Sequence, residues 1–507
     1  MSVFTPEGEA GELSLVDVFR RAEELSDLTC ATPGEGVAVV EHLLAICFAA
    51  GVFPRSVEEW HAWVAGAHGL DAVADWLVEQ PADEWDLFHP ERPLGQNSML
   101  APYLETEGVG PAQLVLEHTG DYNQFLDHHH LEHSEPLTAG EAFRALLTQH
   151  VYGLAGRARI SGKATLGPKI TNLATGRLQN RVRVIVQGRT VGDTLRMNLY
   201  PPAGGEPGRF NHSWTTGGVE RRGFQVKPPG RATSGPADLH SYLGRSVLLR
   251  PVFAADGETV LVDRVLIGAG ELLQLDPERD LEDAVPVKRA DGRTAPLWPS
   301  PARAMWRDAH ALYSAALVSH KGLFGRLREL TFPPHGGGAP CLLWAVGFLA
   351  NKTVPLAWTD GHFPYAPSQG EALCEASRRG SHIAEYVAKS LTRAAYVAWK
   401  IVYLNPKPAD AAAQRARFDA GEKFWAAAGE HFYHLLDETV DGEPVPHSLL
   451  VYADELRTMA HDLLRNRLDS LPRNDRGMHA RARAEGRFLN DMAASAAPPE
   501  LRGETLP

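Results

Sequence analysis

Four stretches of this chain hold residue types that could do chemistry. The first, Gly156 to Ala164 (GRARISGKA), has the glycines and lysine of a phosphate-binding loop. Such a loop needs four residues between its glycines and a Ser/Thr hydroxyl for magnesium after the lysine. Here five residues separate Gly156 from Gly162, Ala164 follows Lys163, and a helical pattern precedes the segment where a strand is required. It is rejected as a nucleotide site. The second stretch, Asp127 to Glu135 (DHHHLEHSE), sets His128, His129, His130 and His133 beside Asp127, Glu132 and Glu135. Imidazole and carboxylate together suit zinc, so a metal-dependent enzyme using loop 127–135 is one reading. Adjacent loop residues point in different directions, however, and no distant HExxH completes a site, which leaves a solvated loop as the other reading. The third, His461-Asp462, resembles half of an HD phosphohydrolase pair without further separated ligands. There is no nucleophile elbow, Rossmann glycine pattern or catalytic cysteine constellation. The chain therefore reads as non-catalytic, with no catalytic residues, no metal and no cofactor.

The fourth stretch is electrostatic. Between Arg157 and Arg196 stand nine Lys/Arg (Arg157, Arg159, Lys163, Lys169, Arg177, Arg181, Arg183, Arg189, Arg196) against one acid, Asp193, in a chain of net charge −13. RVRVIVQGR alternates arginine with valine, as a strand with one buried face does. That places arginines on one face about 7 Å apart, close to the phosphate spacing of a nucleic-acid strand. Arg181, Arg183 and Arg189 are accordingly candidate phosphate contacts; the alternative is a solvated polar sheet face. A second basic cluster (Arg465, Arg467, Arg473, Arg476, Arg481, Arg483, Arg487) lies near the C-terminus, where an ordinary surface helix is an equal alternative.

These residues need elements to position them. At 507 residues the chain exceeds the size at which one core keeps growing, so at least two folding units are expected. A hydrophobic share of 44% is enough for a sizeable core. The four cysteines, Cys30, Cys47, Cys341 and Cys374, form no CxxC pair, and there is neither a signal-peptide pattern nor a membrane-length apolar run. A cytoplasmic protein without membrane partners is expected. The first 80 residues carry helical periodicity, with Thr32-Pro33-Gly34 as a turn signal and Trp60, Trp63 and Trp76 closing the layer. Thr138 with Glu141 three residues on predicts a capped helix over 137–151. From 153 to about 270 the chain is β-rich, with SVLLRPVF and TVLVDRVLIG as further strands. VGFLANKTVPLAWTDGHFP reads as a hairpin about Asn351-Lys352-Thr353. From about Glu371 four amphipathic segments predict a four-helix bundle. The fold class is α+β: a large mixed α/β N-terminal domain, 1–369, then a helical bundle, 370–507.

The order of these motifs resembles the CasA family, the large subunit of the type I-E CRISPR Cascade complex. LFHPERPLGQN, LTAGEAFRALLTQHVYGLAG, VGDTLRMNL, PLWPSPARAMWRDAHALY and GFLANKTVPLAW are each similar to family segments, over roughly residues 10 to 490. The resemblance implies a subunit among other Cascade subunits, set at the 5′ handle of the guide RNA. It would read the PAM of double-stranded target DNA from the minor groove, help open the strands and recruit a helicase-nuclease; base pairing supplies most of the specificity. It implies a glycine loop at Gly153, Leu154, Ala155 and Gly156 with Arg157, a guide contact at Asn123, Gln124 and Phe125, and a strand-opening wedge at Asn351, Lys352 and Thr353. Arg245 or a nearby arginine is the implied basic residue in the groove. Lys352 stands where relatives place a glutamine, and the relatives' Pro-Trp-Ile opening and CxxC pairs are missing. A scaffold contacting only protein and RNA is the remaining alternative.

Overall fold

The computed structural model describes residues 1–5, 8–66, 68–118, 135–157, 172–214, 230–274, 283–319, 322–328, 341–351, 354–403 and 409–504. They fall into two compact units, Met1–Ala302 with His320–His362, and Arg303–Ser319 with Phe363–Pro507. This division differs from the expected one at 369/370. Arg303–Ser319 joins the helical unit because Ala309–Val318 packs along that unit's longest helix.

In the first unit, Ser2–Phe4 pairs with Ala10–Glu12 and Asp27–Leu28 to open the chain with a small antiparallel sheet. Helix α1 (Pro33–Ala49) follows. The TPG expected to be a turn is its start: the Thr32 hydroxyl accepts from the Glu35 N–H at 3.2 Å and Pro33 takes a first-turn position. From Gly36 to Phe48 every residue of α1 is buried, so α1 is a core helix with no solvent face. Helix α2 (Ala139–Tyr152) begins with the expected capping box, the Glu141 N–H donating to the Thr138 hydroxyl at 3.2 Å and the Thr138 N–H to the Glu141 carboxylate at 2.9 Å.

The strands that follow are short at first. β1 (Gly156–Arg157) pairs with β2 (Asn172–Leu173), Gly156 opposite Leu173. β3 (Arg183–Gln187) leads into helix α3 (Val191–Asn198). β4 (Arg245–Phe253) and β5 (Val260–Ala269) form a long antiparallel hairpin with an irregularity at Arg250/Pro251. β6 (Cys341–Asn351) and β7 (Val354–Tyr365) make the hairpin read from the sequence, and β6 pairs antiparallel with β3, Trp344 opposite Ile185.

Helix α2 stands between two apolar clusters. Leu147, Val151 and Tyr152 pack with Leu43, Ile46, Ile185 and Phe348. Ala142, Ala145 and Leu146 pack with Val247, Leu249, Val262 and Val265 of β4 and β5. Held on both sides, the C-terminus of α2 has little freedom, and the glycine segment springs from it.

In the second unit, α4 (Ala309–Val318) precedes a bundle of α5 (Gly370–Val402), α6 (Gly421–Val440), α7 (Val445–Leu468) and α8 (Asp475–Met492), with α5 touching the other three. The expected stripes are buried: Ile383, Val387, Leu391 and Ala395 on α5, and Phe424, Ala428, Phe432 and Leu436 on α6. Gly380 lets α6 approach closely, since a Cβ there would lie 2.8 Å from the Leu435 side chain. Among the described residues no helix is long and apolar enough to cross a membrane.

Candidate nucleic-acid interface

The glycine segment begins where α2 ends. The Gly153 N–H closes the helix on the Gln149 carbonyl at 3.1 Å, and the returning chain is tied to it by the Gly176 N–H on the Gly153 carbonyl at 2.7 Å and the Leu178 N–H on Val151 at 3.2 Å. Gly176 cannot carry a side chain, because a Cβ would lie 2.4 Å from the Val151 carbonyl oxygen. Gly153 and Leu154 are buried, whereas Ala155 and Gly156 are partly exposed. At Gly156 no atom of the described residues lies within 4 Å of where a Cβ would stand. At Gly153 that position is 2.6 Å from the Arg245 guanidinium. The two glycines therefore differ: a Cβ at Gly156 would meet none of the described residues, while Gly153 makes room for an arginine.

That arginine corrects one expectation. Arg245 is 2% exposed and does not reach into a groove. It lies beneath the segment, donating from Nη2 to the carbonyls of Leu154 at 2.9 Å and Ala174 at 2.6 Å and from Nη1 to Gly244 at 2.8 Å. Burial pushes its pKa down to about 10, with Tyr242 acting in the opposite sense, so it stays cationic at neutral pH. Its backbone N–H donates to His150 Nδ1 at 3.2 Å, which leaves the His150 proton on Nε2, 2.8 Å from the Gly95 carbonyl.

The arginine-rich strand is the second correction. β3 is buried from Arg183 to Val186: β6 pairs along one edge, Ile185 packs in the cluster that includes α1, and α3 packs against the strand, the Val186 N–H donating to the Asn198 side chain at 3.2 Å. Arg183 is 1% exposed, its Nε 3.1 Å from the Glu41 carboxylate and its Nη1 3.5 Å from Asp283. Glu41, itself fully buried, also pairs with Arg177. Arg196 is likewise buried, bonded to Glu23 at 2.8 Å and Asp193 at 2.7 Å. Three buried cations of the basic run are thus paired with the protein's own carboxylates, Glu41 buried and Glu23 and Asp193 partly exposed. Arg189, in the bend after β3, is exposed; Arg181 is half-buried. The expected row of three guanidinium groups on one strand face does not form.

Of the other expected residues, Asn351 is exposed at the end of β6. Lys352 and Thr353 lie outside the described residues, as do Asn123, Gln124 and Phe125, the four histidines of the 127–135 loop and the side chain of Arg157. His461 stacks on Phe488 at 5.9 Å, an ordinary packing contact. Among the described residues no cluster of His, Cys, Asp and Glu has metal-holding geometry.

Sequence reading missed a groove of about 560 Å³ in the helical unit. Arg393, Tyr396, Val397, Lys400 and Ile401 of α5 line it together with Arg483 and Arg487 of α8. Part of its charge is internal, since Arg393 and Arg487 each reach Asp491 at 3.0 Å. The α8 arginines were visible as a cluster, but the matching cations of α5 are spaced through a mostly neutral helix and attract notice only once the two helices lie side by side.

Comparison with curated protein sequences gives no match. Among solved structures, the chain is similar to the CRISPR-associated protein Cse1 from Acidimicrobium ferrooxidans, with 21% identity over 100% of this chain and 98% of that one and a TM-score of 0.73. Thermus thermophilus CasA (Cse1) gives 18% identity, 97% coverage of both chains and a TM-score of 0.74. A chain described as a CRISPR RNA-guided surveillance complex gives 20% identity, 96% and 98% coverage and a TM-score of 0.67. At these identities the structural likeness establishes the fold. The sequence profile of the family described as CRISPR-associated protein Cse1 matches residues 1–466, most of the chain, and the chain belongs to that family.

Proposed function

We propose that this chain is the large subunit of a type I-E CRISPR surveillance complex that reads the PAM of double-stranded target DNA through the minor groove. The observation that carries the reading is Gly156: partly exposed backbone, with none of the described residues where a side chain would be, on a segment whose base is packed from below. Backbone without Cβ can approach the floor of a groove that side chains would block. Family membership and the likeness to a chain described as part of an RNA-guided surveillance complex support the same role.

In this reading the segment Gly153–Arg157 meets the duplex. Arg189, with Arg181 beside it, supplies phosphate contact, and the β6–β7 hairpin tip at Asn351, Lys352 and Thr353 props the strands apart. A lysine at the tip can wedge a base step and pair with phosphate, although it does not bond to a base edge as an amide does. Asn123, Gln124 and Phe125 contact the 5′ handle of the guide RNA, Phe125 by stacking on a base. The other Cascade subunits hold the chain in a cytoplasmic assembly, and a helicase-nuclease docks on it to cut the DNA. The chain itself binds and positions without catalysis or cofactor.

The test is the guide-loaded assembly presented with matched duplexes that differ only in the flanking triplet. Preference for one triplet, reduced by Gly156→Leu and by Lys352→Ala, is the expected result. Equal affinity for correct and scrambled triplets overturns the reading and leaves a scaffold that contacts protein and RNA only.

A further inference from the structure

Beneath the glycine segment lies a cation that has no carboxylate partner among the described residues. Among the described residues of this unit, the other deeply buried arginines each have a carboxylate: Arg144 has Glu35, Arg177 and Arg183 share Glu41, and Arg196 has Glu23. Arg245, as deeply buried, is held among the described residues by carbonyl oxygens alone. Removing a charge from water without an opposite charge is unfavourable, and an apolar side chain would fill the same space without that cost. What the guanidinium adds is its rigid fork of donors.

The fork sits at the neck of the segment. Leu154 lies two residues before β1 and Ala174 directly follows β2, so one nitrogen, Nη2, ties the outgoing strand to the returning one. The same group fills the space left by the missing Cβ of Gly153. Its backbone is anchored as well, through His150 near the end of α2. Helix end, outgoing chain and returning chain thus converge on one residue.

We propose that Arg245 is the positioning residue of the glycine segment: its fork sets the separation of Leu154 from Ala174 and thereby the height at which the Gly156 backbone meets the duplex. The inference rests on the DNA-facing reading of the segment made under Proposed function, and its test separates the two.

Arg245→Lys keeps the charge and loses the fork; Arg245→Met loses both. Amide exchange on the whole chain should show faster exchange at Gly156, Arg157 and Gly176 in both variants, by about tenfold or more, with Val247, Leu249 and Val265 unchanged. In the guide-loaded assembly, discrimination between flanking triplets should fall by about fivefold or more in both. Unchanged exchange at the neck in both variants overturns the proposal. Accelerated exchange spreading through β4 and β5 overturns it too, because Arg245 would then be holding the core. Gly156→Leu, with Arg245 intact, tests the DNA-facing reading on its own. If that variant leaves discrimination untouched the reading fails, while the exchange measurement still decides whether Arg245 sets the neck.

Discussion

The Glu41 cluster makes the sharpest energetic prediction. Glu41 is fully buried between Arg183, at 3.1 Å and 1% exposed, and Arg177, with the His240 ring 3.7 Å away. Glu41→Gln keeps the shape and removes the charge, leaving two guanidinium groups in a region closed to water. Breaking a buried pair in this way costs ~3–5 kcal/mol, set against total stabilities of ~5–15 kcal/mol. Here Asp283, 3.5 Å from Arg183, gives partial compensation, which favours the lower half of that range. At ~2 °C per kcal/mol for a unit of this size, the midpoint of thermal unfolding should fall by roughly 6–8 °C. Arg183→Gln leaves Glu41 paired with Arg177 and should cost less, ~1–3 kcal/mol. The double variant should fall short of the sum of the two, since both changes break the same pair. The exposed Arg189 gives the contrast. Arg189→Gln should change stability by less than ~0.5 kcal/mol, yet lower the salt slope of DNA binding by ~0.9 if it contacts one phosphate. Arg183→Gln should leave that slope alone. Calorimetry of the purified variants and binding titrations over a range of salt read both quantities. A Glu41→Gln midpoint within 2 °C of wild type, or a reduced slope for Arg183→Gln, would refute the assignment of these charges to the interior.

Three further outcomes are expected. Burial, aided by His212 and His150, pushes the His42 imidazole down to about 3. Because this lies below the unfolded value of ~6.5, the contribution is complete above that pH and is lost as pH falls towards 3, amounting to ~2 kcal/mol by pH 5. Urea unfolding at pH 7.5 and 5 should show that much less pH dependence in His42→Gln than in wild type, and equal dependence would contradict it. Gly153→Ala forces a methyl to within 2.6 Å of the Arg245 guanidinium and should cost ~1–3 kcal/mol, whereas Gly156→Ala, which meets none of the described residues, should be nearly neutral in the same melts. Thr138→Ala removes the capping box of α2 and should lower stability by ~1 kcal/mol by denaturant titration.

The elements were largely legible in the sequence because their causes are local. Thr138 and Glu141 sit three apart and cap α2 wherever that helix is placed. The four-residue apolar repeats of α5 and α6 require a buried stripe, and the paired apolar runs about 351–353 require a hairpin. The family resemblance was legible for the same reason, as an order of local motifs. One local reading nevertheless went astray. Thr32-Pro33-Gly34 is a turn signal in isolation and a helix start here, since the same residue types serve both and only the packing of α1 chooses between them.

The charges were not legible. Alternating Arg and Val in RVRVIVQG describes a strand with one wet face, and that inference holds only if one face meets water. β3 meets β6 and α1 instead, and the carboxylate that makes its first arginine tolerable is 142 residues away. Arg245 is a similar case: nothing in SVLLRPVF or the residue before it says whether that arginine lies outside among phosphates or inside beneath a loop. A sequence states which side chains are charged. Whether a charge is spent internally or offered to a partner depends on which remote groups the fold brings within a few ångströms, and tertiary packing alone decides that.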